Sequence, residues 1–316
     1  MSTASVTRIR GTERAEMGAG LDALARDLGA AARRDVPLAR YTSMRVGGPA
    51  DLVLTASSAE ELVNAVTLAR RYGVPWRVLG SGCNVLIADA GLRGLVIINR
   101  AASVSLENTR VRAESGAMLA KVARTCADAG LKGMTWAEGL PGTVGGAVVG
   151  NAGAFGGDVA GCLERAAVVG PDDRVVERRG GWFDFTYRGS RLKRRESEGF
   201  VVVWAAFRLR VGDRTRLLAR AEEVLTERRR RHPTGPTMGS TFKNPPGGYA
   251  GQLIEEAGLK GYRVGGAVVS PEHANFLINE GDATAEDVRQ LIAQIQREVK
   301  RASGVELALE IELLGW

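Results

Sequence analysis

The sequence predicts an α+β protein with more than one domain. Short apolar runs typical of β-strands are crowded between Trp76 and Leu209, and few helical stretches interrupt them. After Val211 the helical periods become longer and strand candidates become sparse. Because strands and helices do not alternate strictly, a purely parallel βαβ arrangement is disfavoured, and we expect a domain boundary near Gly212.

Composition narrows the class of protein. The 316 residues are 45% hydrophobic, which is enough for sizeable cores. No run of about 20 apolar residues and no apolar signal-peptide block occurs, so membrane insertion and export are not predicted and a cytoplasmic location is expected. The three cysteines, Cys83, Cys126 and Cys162, form no CxxC pair, and the chain has only two histidines. We therefore expect neither a disulfide nor a bound metal.

The N-terminal part contains one clear helix. Residues 1–17 are polar and show no apolar period, so we expect a disordered extension there. Ser58 and Glu61 have the spacing of a capping box, apolar residues follow at helical intervals, and Gly73 ends the period. This pattern predicts a helix of about four turns.

Strand candidates follow in quick succession, with a single helix among them. That helix spans Met118–Ala129 and is closed by Gly130. The predicted strands are the apolar runs Trp76–Leu79, Val85–Ile87, Leu95–Ile98, Val111–Ala113, Ala166–Val169 and Val201–Leu209.

The C-terminal third combines longer helices with two strands. The predicted helices are Thr215–Arg231, Ala250–Ala257 and Thr284–Ala302, and the predicted strands are Gly266–Val269 and Glu306–Leu314. In the last strand Glu310 and Glu312 alternate with apolar residues, so both carboxylates are expected on one face. A solvated edge is the simpler interpretation for Glu312.

The segment Gly139–Gly157 is the strongest sign of a ligand. It holds eight glycines, a density that lets backbone N–H groups face an anion without obstructing side chains. A tight turn with a packed small-residue helix is the alternative for any single glycine. A second cluster, Gly80–Leu86, follows a predicted strand, where ligands often bind. Neither cluster fits GxGxxG or GxxxxGK[ST], so we predict a nucleotide cofactor in another kind of phosphate cradle.

Two loops carry candidate catalytic groups. The loop Gly239–Pro245 combines Ser240 with Lys243 and an amide, a set that can donate a proton and face a phosphate. An isolated serine is more often a turn or cap residue. In the second loop, Arg188 is either an exposed charge or a clamp for a carboxylate.

The basic balance of the chain does not select a partner. The formal charge is +7, and arginine serves both nucleic-acid binding and the recognition of small anions. The run Arg228–Arg231 is expected to decorate the end of its helix, where cations suit the helix dipole. Nucleic-acid binding is less favoured, because no aromatic residues are interleaved.

Seven segments, in order, resemble the UDP-N-acetylenolpyruvoylglucosamine reductase family over nearly the whole chain from Ala39. They are YTSMRVGGPAD (41–51), GSGCNVL (80–86), GLPGTVGGAVVGNAGAFGG (139–157), YRGS (187–190), GSTFKNP (239–245), GLKGYRVGGAVVSPEHANFLIN (258–279) and VELALEIELLG (305–315). Each motif alone is modest, and their common order carries the resemblance. The compact stretch between YRGS and GSTFKNP is similar to the branch of the family that lacks an extra substrate-capping insertion.

The resemblance implies a fold and a reaction. The implied fold is an FAD-binding domain of the vanillyl-alcohol oxidase type, with subdomains 18–75 and 76–212, followed by an α+β substrate-binding domain, 213–316. The implied reaction reduces UDP-N-acetylglucosamine-enolpyruvate to UDP-N-acetylmuramate for peptidoglycan, with NADPH as reductant and FAD as bound cofactor. The expected partner is a UDP-sugar, with neither nucleic acid nor membrane insertion.

The resemblance also implies roles for single residues. Arg188 and a protonated Glu310 would stabilise the negative charge that hydride addition creates, and Ser240 would donate the proton. The residues expected to contact the substrate are Tyr187, Lys243 and Asn244. The residues expected to bind the cofactor are Arg45, Gly80, Ser81, Gly82, Cys83, Asn84, Val85, Leu86, Pro141, Gly142, Thr143, Gly145, Gly146, Asn151, Ala152 and Gly153.

Two positions depart from the family pattern, and two other functions stay open. Cys83 stands where a serine is usual, which removes a hydroxyl donor to phosphate, although backbone N–H groups can still serve. Glu312 replaces a common arginine. One alternative function is a flavoprotein oxidase of the same fold that uses oxygen, which should lack the YRGS and GSTFKNP pair. The other is a cofactor-free nucleic-acid-binding protein, whose affinity would fall steeply with salt.

Overall fold

The computed structural model describes residues 11–194 and 199–316, with side chains from Met17 onward. In these residues the chain forms seven α-helices: α1 (Gly11–Leu28), α2 (Ala59–Arg71), α3 (Leu119–Asp128), α4 (Val144–Gly150), α5 (Arg214–Arg231), α6 (Ala250–Glu256) and α7 (Ala285–Ser303). Four short 3-10 helices span Gly29–Ala31, Leu38–Tyr41, Thr135–Ala137 and Gly180–Phe183.

The strands of the described residues lie mostly in three sheets of four, five and four strands. They are β1 (Ala32–Pro37), β2 (Pro49–Ala56), β3 (Trp76–Leu79), β4 (Val85–Ile87), β5 (Leu92–Asn99), β6 (Val104–Glu107), β7 (Arg110–Glu114), β8 (Leu131–Lys132), β9 (Gly153–Ala154), β10 (Gly157–Asp158), β11 (Leu163–Val169), β12 (Val175–Arg179), β13 (Val201–Arg208), β14 (Arg210–Val211), β15 (Thr237–Ser240), β16 (Arg263–Val264), β17 (Ala267–Val269), β18 (Phe276–Asn279) and β19 (Glu312–Leu314).

The first sheet has the order β1-β2-β5-β3, with β2, β5 and β3 parallel and β1 antiparallel to β2. Helices α1 and α2 cover one face, and the other face packs Val96 against Leu314 in a separate core. Burial of both faces explains why Leu95–Ile98 is continuously apolar. Helix α2 begins at the predicted cap, where Ser58 Oγ accepts a hydrogen bond from Glu61 N at 3.1 Å.

The second sheet is antiparallel and has the order β12-β11-β13-β7-β6. One of its faces packs on α3 and α4, and the other packs against α2 of the first unit. Helix α5 lies against α3, where Arg124 is 2.7 Å from Glu222 and 3.0 Å from Glu138. The second unit therefore includes α5.

The third sheet, β15-β18-β17-β16, is antiparallel and shares a core with α6 and α7. Helix α7 begins at a capping box between Thr284 and Asp287 and ends at Gly304, whose φ is 74°. Met44 and Leu86 from the first part of the chain belong to the same core. The last strand, β19, then pairs in parallel with β4. The third unit is thus joined to the first by shared packing and by a strand pair.

The sheets join segments on both sides of the predicted boundaries at residues 75 and 212. Strands β3 and β5 lie in the first sheet beside β2, so the first unit extends to Asn99 and the second sheet begins at Val104. Helix α5 packs on α3, and the third sheet begins only at Thr237. Pairing between segments that are distant in sequence decides these boundaries, and local composition carries no record of it.

The extension predicted over residues 1–17 includes residues that are folded. Residues 1–10 lie outside the described residues, whereas α1 begins at Gly11. Leu21 and Leu24 are buried against the first sheet, and Met17 packs beside them. These three apolar residues share one face of the helix, a short signal that becomes clear only beside the sheet it covers.

The strand predicted over Glu306–Leu314 is also shorter than expected, because only β19 is a strand. The preceding residues follow the loop Gly239–Pro245: Lys243 N donates to Ala308 O at 2.8 Å. Leu307 and Ile311 are buried in the third core, and a single antiparallel bridge pairs Leu309 with Phe242, so the alternation reflects burial and a pairing too short to form a strand.

Candidate active site

Arg188 sits in a tight loop with an unusual backbone conformation. Its φ is 54°, a left-handed value that is uncommon for a residue other than glycine. Thr186 and Gly189 on either side exchange backbone hydrogen bonds of 3.0 and 3.1 Å. Ser190 Oγ donates to Val149 O at 2.6 Å, and Asn151 Nδ2 donates to Thr186 O at 3.0 Å. The glycine-rich segment therefore holds the loop in the conformation that aims Arg188.

Arg188 meets Glu310 across the junction of the second and third units. Arg188 Nε lies 2.6 Å from Glu310 Oε1, and the two side chains are 25% and 16% exposed. Burial raises the pKa of the Glu310 carboxyl, while Arg188, Lys193 and Lys243 oppose that rise. Glu310 is thus a carboxyl group that takes up a proton more readily than an exposed glutamate.

The loop Gly239–Pro245 is fixed beside Glu310 by backbone and amide contacts. Asn275 Oδ1 accepts from Phe242 N at 2.9 Å, and Asn275 Nδ2 donates to Phe242 O at 2.8 Å. Glu310 N donates to Thr241 O at 2.9 Å. Ser240 immediately precedes Thr241 at the end of β15, so the structure brings the segments of all three predicted catalytic residues together.

The two glycine clusters predicted for a cofactor meet each other. A Cβ added to Gly80 would collide with the side chain of Thr143, and one added to Gly142 would lie 3.4 Å from Cys83 Sγ. Gly142 has a φ of 122°, so a side chain there would also strain the backbone. Gly146 is exposed beside them. Segments far apart in sequence therefore form one continuous small-residue surface.

Other residues of the predicted cofactor set are engaged by the protein. The N–H of Gly145 donates to Ser115 O at 2.8 Å, and that of Ala152 donates to Ala147 O at 2.9 Å. Backbone acceptors of the protein therefore engage these two N–H groups. Asn151 is 5% exposed, and its Oδ1 accepts from Ala160 N. Gly153 is buried in the β9–β10 hairpin.

The loop Gly80–Leu86 contacts the segment of Glu310. Asn84 Nδ2 donates to Glu310 O at 3.2 Å, and Asn84 O accepts from Glu312 N at 2.9 Å. Val85 and Leu86 lie in β4, and Leu86 is fully buried. Cys83 Sγ lies 3.4 Å from Ser81 Oγ, and burial raises the pKa of its thiol.

Three more predicted residues flank this loop and the glycine run. Gly82 is buried, and a Cβ there would strike Tyr41 O, so glycine is required for close packing. Arg45 and Pro141 are exposed.

The residues predicted to contact substrate divide into two groups. Ser240 and Asn244 line a surface cavity of about 300 Å³ together with Tyr249, Glu272 and His273. Asn244 Oδ1 accepts from Ala250 N at 3.0 Å at the start of α6, and the amide NH₂ is a donor that this contact does not use.

Tyr187 and Lys243 do not line that cavity. Tyr187 is 57% exposed, and the guanidinium of Arg188 lies 5.4 Å from its ring centroid. Lys243 opposes the rise in the pKa of Glu310 and so influences the Arg188–Glu310 pair.

Arg228 is a buried cation that the sequence did not single out from the run Arg228–Arg231. It is 8% exposed, its Nε donates to Glu138 O at 3.3 Å, and its guanidinium lies 5.4 Å from the ring centroid of Phe155. Its Nη2 is buried and has no hydrogen-bond partner among the described residues. Burial lowers its pKa, and Arg188 adds to that effect.

A sequence signal for Arg228 did exist. Helical spacing from the buried Leu217, Ala221 and Val224 leads to position 228 on the same face of α5. A buried cation with an unused donor, next to the glycine run, fits an anionic ligand group.

Lys193 is a second residue that the sequence did not identify. Its Nζ donates to Glu310 O at 3.0 Å, from the same loop that carries Arg188.

Among residues 11–194 and 199–316, no group of three or more His, Cys, Asp or Glu is arranged to hold a metal ion. Over the same ranges no helix is both long and apolar enough to cross a bilayer.

Two family models match the chain. Residues 50–178 match a model described as FAD binding domain. Residues 231–314 match one described as UDP-N-acetylenolpyruvoylglucosamine reductase, C-terminal domain. The first match covers the segment from β2 to β12. The second covers the third sheet and β19, the strand that pairs with β4.

Individual proteins give the same similarity. The chain is 45% identical to the UDP-N-acetylenolpyruvoylglucosamine reductase of Rubrobacter xylanophilus over 287 residues, which are 90% of this chain and 96% of the relative. It is 43% identical to the enzyme of that name in Caldicellulosiruptor bescii, over 89% of this chain and 90% of the relative. The crystal structure of UDP-N-acetylenolpyruvylglucosamine reductase from Thermus caldophilus is similar, with a TM-score of 0.77, 36% identity and coverage of 89% of this chain and 98% of that one.

Proposed function

This chain belongs to the UDP-N-acetylenolpyruvoylglucosamine reductase family, and we propose that it reduces UDP-N-acetylglucosamine-enolpyruvate to UDP-N-acetylmuramate with NADPH, through FAD, with Ser240 as proton donor. As a member of this family it is an oxidoreductase of peptidoglycan precursor synthesis. We expect it to work in the cytoplasm, where NADPH is available. The observation that carries the proposal is the Arg188–Glu310 pair, which is hydrogen-bonded through the Glu310 backbone to the residue next to Ser240.

The residues present fit FAD. Gly146 is exposed beside the contact between the two glycine clusters and offers backbone to a ligand, and the unused donor of Arg228 suits an anionic or carbonyl group of the cofactor. When bound, FAD would supply the hydride chemistry that links NADPH to the terminal carbon of the enolpyruvyl group. The first and second units, up to α5, would hold the cofactor, and the third unit would hold the UDP-sugar.

Arg188 and Glu310 would act on the charge that this hydride creates. Addition leaves negative charge on the adjacent carbon and spreads it into the substrate carboxylate. Donors aimed at such developing charge contribute about 2.7–4 kcal/mol each in well-studied cases. Arg188 offers a fixed cation, and a protonated Glu310 offers a neutral donor that adds no further negative charge.

The ion pair between the two residues would rearrange when substrate binds. If the substrate carboxylate takes Arg188 as its partner, Glu310 loses its cation and faces another anion. Both changes raise the pKa of Glu310, in the direction that burial already moves it. Substrate binding would therefore favour the protonated form of Glu310, which is the form that can donate a hydrogen bond.

Ser240 would complete the reaction by giving its proton to the carbon that carries the charge. A hydroxyl is a weak acid, but the enolate-like carbon is basic enough to accept its proton. The cavity lined by Ser240 and Asn244 would hold part of the UDP-sugar, with Lys243 and Tyr187 near its phosphates.

Anaerobic flavin spectroscopy tests the proposal. The purified protein should be yellow, bleach with NADPH, and regain colour with UDP-N-acetylglucosamine-enolpyruvate. Ser240→Ala should bleach normally yet reoxidise much more slowly. Ser105→Ala, an exposed serine on β6, is the matched control and should behave like wild type.

Each half-reaction tests a separate part of the proposal. A protein that regains colour only with oxygen would be an oxidase, and the substrate assignment would fail. Normal reoxidation of Ser240→Ala by the enolpyruvyl substrate would remove Ser240 from the proton-donor role while leaving the overall reaction intact.

A further inference from the structure

Lys193 connects the loop of Arg188 to the segment of Glu310. Its Nζ donates to the backbone oxygen of Glu310 at 3.0 Å, and Asn84 Nδ2 donates to the same oxygen at 3.2 Å. At the other end of the residue, Lys193 N donates to Ser190 Oγ at 3.3 Å. The lysine therefore bridges two parts of the chain that are more than 100 residues apart in sequence.

Lys193 is partly buried and lies near two other cations, an unusual setting for a lysine. Lysine is rarely buried without a specific partner, because its ammonium is strongly hydrated in water. Burial lowers the pKa of Lys193, Lys243 lowers it further, and Glu310 and Glu312 oppose this. A cation beside two other cations is electrostatically unfavourable, so packing alone does not explain a lysine at this position.

From this geometry, and on the basis of the proposed function, we infer that Lys193 is a positioning residue for the reduction of the enolpyruvyl group. Its ammonium holds the main chain of Glu310 at a fixed distance from the Arg188 loop and adds positive charge beside the Glu310 carboxyl. Arg188 pairs with Glu310 at 2.6 Å while Lys193 grips the backbone of that residue, so the loop holds both ends of the glutamate.

The charges that face Glu310 come from three segments. Arg188 and Lys193 belong to one loop, Lys243 belongs to the loop Gly239–Pro245, and Glu312 follows on the same segment as Glu310. Removal of the Lys193 charge leaves two cations and one carboxylate. The Glu310 carboxyl then releases its proton at a higher pH.

Four variants separate positioning from simple support. Lys193→Met removes both the hydrogen bond and the charge, Lys193→Gln removes the charge and keeps a donor, and Lys193→Arg keeps both. The matched control is Arg191→Met, because Arg191 lies in the same loop and its Nε donates to Trp182 O at 2.9 Å, away from Glu310. Each variant is tested for FAD content, bleaching by NADPH, and the pH profile of reoxidation by the enolpyruvyl substrate.

We expect Lys193→Met to bind FAD and bleach normally but to reoxidise about 10- to 100-fold more slowly, since small misplacements of catalytic groups have effects of this size. The decline of reoxidation at high pH should move to higher pH in both Lys193→Met and Lys193→Gln. Lys193→Arg should restore the profile, and Arg191→Met should keep it.

Two outcomes would overturn the inference. One is a Lys193→Met enzyme with the wild-type reoxidation rate and pH profile. The other is an equal loss in Arg191→Met, which would reduce Lys193 to general support of the loop. If Lys193→Met fails to bind FAD, an unmoved profile in Lys193→Gln overturns the inference in its place. A wild-type protein that does not reoxidise with the substrate would instead refute the proposed function.

Discussion

Arg188 adopts a left-handed conformation that costs of order 1–3 kcal/mol for a residue with a side chain. Such a conformation persists only where its surroundings over-determine it, and here Ser190 and Asn151 bind the loop to the glycine-rich segment. Glu310, the residue that pairs with Arg188, is held through both its backbone N–H and its backbone carbonyl oxygen. Single residues thus concentrate strain and buried charge at the same point, which is typical of functional sites.

The titration of Glu310 should control the second half-reaction. Only the protonated carboxyl can donate, so reoxidation by the enolpyruvyl substrate should decline as the pH rises through the raised pKa of Glu310. Glu310→Gln keeps a donor at every pH and should abolish that decline. Glu310→Ala removes the donor and should slow reoxidation about 100- to 1,000-fold. Stopped-flow reoxidation at a series of pH values measures all three.

A neighbouring carboxylate provides the control for Glu310. Glu306 lies on the same segment, is exposed, and has a lowered pKa because Lys300 binds it. Glu306→Gln should leave the profile unchanged. A fully active Glu310→Ala enzyme would contradict any catalytic role for this residue.

At the scale of elements, the second sheet carries an arrangement that is unfavourable for stability. The strand register sets Arg165 opposite Arg179 and Arg208 opposite Arg110. Glu164 pairs with both Arg110 and Arg208, which drives its pKa down to about 2. Arg179 has no such partner among the described residues. Arg165, Arg179 and Arg208 line a groove of about 620 Å³ that does not include Arg188 or Glu310.

Substitution of Arg179 should therefore stabilise the protein. Like charges directly opposite on adjacent strands are destabilising, and opposite charges contribute about 0.2–1 kcal/mol. Arg179→Glu should raise the free energy of unfolding by an amount in that range, seen as a higher urea midpoint at unchanged slope. Arg179→Gln, which removes the repulsion without adding an attraction, should give a smaller gain. A lower midpoint for Arg179→Glu would mean that Arg179 has a favourable role in the native state.

At the scale of the whole molecule, the Arg188–Glu310 junction depends on the return of the chain to its first part. The last strand, β19, pairs with β4 directly after the loop that carries Asn84, and Leu314 fills the core beneath the first sheet. Glu310 therefore lies between β19, which follows it in the chain, and the loop Gly239–Pro245, which contacts its backbone. Neither the first two units nor the third unit holds all of the proposed catalytic residues alone.

Removal of the last strand should separate binding from catalysis. Deletion of Glu312–Trp316 removes the pairing with β4 and the buried Leu314, so we expect reoxidation by the substrate to slow more than about tenfold. FAD retention should also fall, because β4 continues the Gly80–Leu86 loop. Deletion of Trp316 alone, which is 50% exposed, should change neither. FAD content after gel filtration and the two half-reactions provide the measurements, and full activity of the longer deletion would refute this dependence.

Much of the fold could be predicted from local pattern. The helix cap at Ser58, the long helix that became α7 and the apolar run Leu95–Ile98 each have a signal contained within a few neighbouring residues. The motif order likewise led to the family, and the comparisons confirm that family. Segments with weak local signals, such as α1 and the short strand β15, were not predicted because their burial depends on partners elsewhere in the chain.

The sequence by itself determined the α+β class, the family and the candidate residues, because these follow from residue type, spacing and motif order. Only the tertiary structure decided the unit boundaries, the burial of Arg228, the bridge made by Lys193 and the closure of β19 on β4. Each of these depends on contacts between segments far apart in sequence. The pKa of Glu310 belongs with them, because it is set by burial and by three cations that only folding gathers around one carboxyl group.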